Sequence, residues 1–97
     1  MIQALDQRTR PLDSVITELP TLSPSDLLPA PGNTFILQDN LGYFLHCFRK
    51  NRAQITKLQR KAMQFAELRE AVWFGKFWLS ISNPGIRPIY VCEVRVE

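Results

Sequence analysis

Apolar positions fall at helical spacing in two parts of the chain. In PLDSVITELP, Leu12, Val15, Ile16 and Leu19 recur at i, i+3, i+4 and i+7, the stripe of a short helix with Thr9 as its cap and Pro20 as its end. From about Asn51 to Val72, the positions Ile55, Leu58, Ala62, Phe65, Leu68 and Val72 keep a 3-and-4 spacing. That pattern predicts one long helix, stopped by Gly75.

The remaining apolar stretches are β-rich. In TFILQDNLGYFLHCF, residues 34–38 and 43–48 read as two strands joined by the turn chemistry of Asp39-Asn40-Leu41-Gly42. FWLSIS and IRPIYVCEVRV read as two more, joined through Asn83-Pro84-Gly85, where Pro then Gly suits a type II turn. The predicted fold class is α+β: a four-stranded antiparallel sheet in the order ββαββ, one long helix on one face, and a proline-rich N-terminal arm.

The arm is set apart by composition. Residues 1–33 hold five of the seven prolines, Pro11, Pro20, Pro24, Pro29 and Pro31, and each fixes φ and removes a donor. Short helical pieces still fit. In SPSDLLP, Ser23 can cap, Pro24 suits the first helical position and Asp26 takes the acid's place in a capping box. The chain therefore divides into an arm, 1–33, and a ββαββ domain, 34–97. The arm either docks on that domain or folds on a partner.

Ninety-seven residues are one domain's worth of core. The opening MIQALDQRTR lacks the basic region and apolar run of a signal peptide. The most apolar run, AVWFGKFWLSI, is about half a membrane span and is interrupted by Lys76. Two cysteines, Cys47 and Cys92, are too few for a disulfide scaffold and alternate with core residues. The expectation is a soluble, cytoplasmic protein.

Chemical motifs are sparse. His46 is the single histidine and has no nucleophile at a recognisable spacing. The chain carries no G-x-S-x-G, P-loop, G-x-G-x-x-G or H-E-x-x-H, and no C-x-x-C pair for zinc. The reading is a protein that is not an enzyme, with no catalytic residue, cofactor or metal ligand to nominate.

Charge is what singles out a surface. The net charge is +3, yet residues 1–48 sum to −3 and residues 49–97 to +6. RKNRAQITKLQRKAMQ, residues 49–64, holds Arg49, Lys50, Arg52, Lys57, Arg60 and Lys61 and no acid. On a helix, Lys50, Lys57, Arg60 and Lys61 fall in a band about 120° wide beside the apolar stripe. Cations at a helix start oppose its dipole, as do Glu67 and Glu70 near the expected end, so this charge is not placed for helix stability. The bland counterpart is a solvated face, or neutralisation by the acidic first half.

A second surface is aromatic. Strand alternation from Phe77 puts Trp78 on the face of Ser80 and Ser82, and alternation from Tyr43 puts Phe44, His46 and Phe48 together. If one helix covers one side of the sheet, Trp78, Phe44 and Phe48 face outward and need cover from the arm, a second copy of the chain or a partner. The functional expectation is a small protein-binding module, an accessory subunit, adaptor or inhibitor. Its partner would be another protein bearing an acidic patch, and no membrane is involved. The alternative is a nucleic-acid-binding protein that uses the basic stripe 49–61.

Overall fold

The computed structural model describes residues 8–82 and 88–96. It shows an α+β domain with an antiparallel sheet and one long helix. The strands are β1 (Arg8–Pro11), β2 (Asn33–Asp39), β3 (Phe44–Arg49), β4 (Arg52–Thr56) and β5 (Ile89–Arg95), and the helices are α1 (Leu12–Glu18) and α2 (Leu68–Ile81). The sheet has five strands, not four, in the order β1-β5-β2-β3-β4. The additional strands come from opposite ends of the reading: β1 from the arm, and β4 from the start of the expected helix.

The helix predicted over 51–72 is therefore corrected. Residues 50 and 51 make a two-residue hairpin turn, and Ala53 and Ile55 alternate across β4 opposite Phe48 and Leu45. The 3-and-4 spacing there is real but local, and pairing with β3 overrides it. The chain then forms a 3₁₀ turn over Gln59–Lys61 and an extended run to residue 67.

The predicted strand at 77–82 is likewise a helix. Leu68, Ala71, Val72, Gly75 and Trp78 form one buried stripe along α2 at i, i+3, i+4, i+7 and i+10. Glu67 and Glu70, which opposed the dipole in the predicted helix, lie at the N-cap and in the first turn of α2, where the dipole favours them. Glu70 Oε1 also accepts the Ala66 N–H at 3.1 Å. Gly75 is not a stop. It lies mid-helix because Leu12 of α1 packs on it, with Leu12 Cδ2 only 3.0 Å from where a Cβ would stand.

Among the other local predictions, the β2–β3 turn and the Ser23 capping box form as expected, whereas the cap of α1 does not. Asp39 Oδ1 accepts the N–H groups of Leu41 and Tyr43, each at 2.9 Å, and Gly42 takes φ +93°, closing the β2–β3 turn. Ser23 and Asp26 form the expected capping box on the 3₁₀ turn Pro24–Leu27. α1 begins at Leu12, with Pro11 and not Thr9 at its N-cap, because Thr9 lies in β1 with its hydroxyl 3.6 Å from Cys92 Sγ. α1 ends at Glu18 and passes into a 3₁₀ turn that includes Pro20. The expected Asn83-Pro84-Gly85 turn lies outside the described residues.

Both helices cover one face of the sheet, where Phe35, Leu37, Leu45, Ile89 and Val91 pack against Leu12, Val15, Leu68, Val72 and Trp78. Each such side chain removed from water contributes about 1.5–3 kcal/mol before entropy is counted. The second face carries a smaller cluster of Ile36, Ala62, Cys92 and Val94, flanked by Phe44 and Tyr90. Strands β2 and β3 splay apart beyond their single pairing at Gln38 and Phe44. The segment after β4 fills that gap. Met63 donates its N–H to Leu45 O at 2.8 Å, and Phe65 exchanges N–H···O bonds with Phe35 at 2.8 and 3.1 Å. Ala62 thus packs on the second face, and Phe65 and Leu68 reach the first.

Candidate functional site

The hairpin between β3 and β4 is closed by Lys50 and Asn51, at φ +52° and +61°. Positive φ at both central residues marks a type I′ turn, whose preferred sequence is Asn-Gly. Asn tolerates this region, whereas Lys has no local hydrogen bond to offset the contact of its Cβ with the backbone. Arg49 and Arg52 flank the turn directly opposite each other, a destabilising pair for like charges. Three exposed cations thus occupy four residues at a tip that local stability does not favour. The variant carrying Lys50→Asn and Asn51→Gly is expected to gain about 1 kcal/mol, or roughly 4–8 °C in thermal midpoint. A melt with no gain would show that the turn is not strained.

Beside this tip runs a continuous aromatic series. Trp73 stacks on Phe77 (centroids 5.7 Å apart, planes at 16°) and meets Phe74 edge-on at 4.9 Å. Phe77 meets Phe48 edge-on at 4.8 Å, and Phe74 links Phe48 to the buried Phe65. The series runs from core to solvent and ends on Trp73, which is 60% exposed. Trp73 and Phe77 are neighbours at i, i+4 on the side of α2 away from its buried stripe, with exposed Arg69 and Lys76 at i−4 and i+3 from Trp73. β4 ends the sheet, and no described segment pairs with its outer edge. Ile55, 47% exposed, is on that strand.

The residues singled out in the sequence are dispersed. Arg49, Lys50 and Arg52 form the tip. Lys57 lies at the far end of β4, about 15 Å along the strand, with its Nζ 5.5 Å from the centre of the Tyr43 ring. Arg60 and Lys61 belong to the 3₁₀ turn, where the Lys61 carbonyl lies 2.6 Å from His46 Nδ1. The predicted helical stripe does not exist, because its carrier is a strand and a turn. None of these six cations makes an ion pair with a described acid; the pairs found are Arg8–Glu93 and Arg10–Glu18.

The predicted aromatic face is also corrected. Trp78 is 5% exposed and belongs to the core, because residues 77–81 are helical. Phe44 and Phe48 lie on opposite faces of the sheet. A bulge at Leu45/Cys47 adds His46 to β3 and shifts the alternation by one residue, so Phe44 packs on the second face and Phe48 beneath α2. Sequence reading missed Trp73 and Phe77, although their i, i+4 spacing was the available signal.

Two clefts accompany this surface. One, of about 150 Å³, is lined by Thr34, Ile36, Arg60 and Val94 on the second face. The other, of about 480 Å³, lies between β1 and the Ser25–Pro31 loop; of the charged side chains that line it, Arg8 pairs with Glu93 and Arg10 with Glu18, and Asp26 belongs to the Ser23 capping box. Burial pushes the Cys92 thiol up, with partial relief from the Thr9 hydroxyl, so Cys92 is an inert core residue. Among the described residues, no group of His, Cys, Asp or Glu is placed to hold a metal, and no helix is long and apolar enough to cross a membrane.

Fold and surface together define a small α+β domain whose most distinctive feature is an aromatic patch beside a basic hairpin and a sheet edge that no described segment pairs. No family model, curated protein or solved structure matches the chain.

Proposed function

We propose that this chain is a protein-binding module that acts by association, not catalysis, through Trp73, Phe77 and the adjoining β4 edge. The observation that carries this reading is Trp73 itself. An indole left largely in water at the end of a rigid aromatic series is preorganised for contact, and burying it requires little further ordering. Such residues, beside a charged rim, are common binding hot spots, each contributing about 2 kcal/mol or more.

The test compares proteins captured from the native cell by the wild-type chain, by Trp73→Ala and by Leu28→Ala, an exposed apolar residue elsewhere on the surface. At ~2 kcal/mol, specific partners should fall about thirtyfold on Trp73→Ala and persist on Leu28→Ala. An unchanged set of captured proteins on Trp73→Ala sinks this reading.

A further inference from the structure

Building on the binding surface at Trp73, we propose that the partner presents an extended acidic segment, which adds to the sheet as a strand along β4. Three observations converge on this occupant. The outer edge of β4 is unpaired among the described residues, and alternate residues of an edge strand turn their N–H and C=O groups outward. Proteins commonly blunt such edges with inward charges or proline, but β4 carries an exposed Ile55 facing the same side as Phe48. An added strand therefore gains a ladder of backbone bonds and an apolar contact together.

Register then decides where its side chains go. Ala53 and Ile55 share the face on which α2 lies, through their pairings with Phe48 and Leu45. Alternate side chains of an added strand project onto that face, where Phe48 meets Phe77 of the aromatic series that ends on Trp73. Specificity for apolar residues at every second position follows directly.

Charge selects the rest of the segment. Arg49, Lys50 and Arg52 close one end of β4, and no described acid pairs with them. Arg49 and Arg52 repel each other across the turn, and carboxylates brought to the tip relieve that repulsion. Both guanidiniums can donate two parallel hydrogen bonds to a carboxylate. A nucleic-acid strand would satisfy the same cations but not the backbone edge of β4, which is why the observations favour a polypeptide.

A displayed library of random twelve-residue peptides, selected on the whole chain, tests this without knowledge of the partner. The expected selectants alternate apolar residues with Asp or Glu. A synthetic selectant should lose at least tenfold in affinity when alternate backbone amides are N-methylated, and about tenfold against the chain carrying Arg49→Ser, Lys50→Ser and Arg52→Ser. In the bound state, the amide resonances of Ala53–Thr56 and the Trp73 indole should shift.

Selectants that are basic, helical or indifferent to N-methylation overturn the proposal, as does an empty selection. Tighter binding of a twelve-residue oligothymidylate at the same resonances overturns it in favour of nucleic acid. Concentration-dependent dimers that mask β4 in the free chain overturn it in favour of self-pairing. If these tests fail while Trp73→Ala still releases captured proteins, the patch binds partners by another mode. If Trp73→Ala releases none, the underlying reading has failed as well.

Discussion

Trp78→Ala is expected to destabilise the domain by about 3–5 kcal/mol, the cost of emptying a large aromatic site in a packed core. Trp78 is at the end of the buried stripe of α2, in the cluster formed with Phe35, Leu45 and Leu68. A small domain holds only about 5–15 kcal/mol of stability, so the mutant should melt roughly 12–40 °C lower, or not fold at all. Trp73→Ala, five residues earlier on the same helix, should stay within about 1 kcal/mol of wild type, because its indole is largely in water. Paired thermal or urea melts decide this. Equal losses from the two substitutions would contradict the orientation of α2, and with it the choice of Trp73 as the contact residue.

Glu93→Gln should have the next largest effect, and it should depend on pH. Glu93 is buried in β5 and joins three parts of the chain: its carboxylate accepts the Ala30 N–H and the Asn33 amide, each at 2.9 Å, and a longer bond of 3.3 Å from Arg8 of β1. Burial pushes the carboxyl up. The bonds from Asn33, Ala30 and Arg8 outweigh it, leaving the group below its ordinary value. A depressed carboxyl favours the folded state at pH values above that of the unfolded chain, and this contribution disappears as pH falls through the folded value. The stability difference between wild type and Glu93→Gln should therefore be about 1–3 kcal/mol at neutral pH and shrink in acid below the normal Glu range. Amide exchange along β1 and at Ala30 should accelerate in the mutant. A difference that does not change with pH would show that the carboxylate's charge does not hold β1 and this loop to β5.

Where a signal in the chain was local, sequence was sufficient. The turn at Asp39–Gly42 depends on one carboxylate reaching two amides and on one glycine at positive φ, all within the five residues 39–43. The Ser23–Asp26 box and the Leu12–Val15 stripe are equally short-range, and they appear where their spacing places them. The last strand and the α+β class also follow from pattern alone.

What tertiary structure decided was the choice between elements that the same residues could support. Residues 52–56 match a helical stripe and a strand alike. The closing of the Lys50-Asn51 turn onto β3 selects the strand, and the cations that opposed a helix dipole were the trace of that outcome in the sequence. Residues 77–81 look β-rich because aromatic residues favour sheets. They are helical because Gly75 lets α2 settle on Leu12 while Trp78 fills the core. The candidate site inherits both decisions. No local pattern brings the tip at Arg49–Arg52, the β4 edge and Trp73 to one surface. A hairpin, a one-residue bulge and a long helix do so, because their only shared solution is to bury the apolar faces against one sheet.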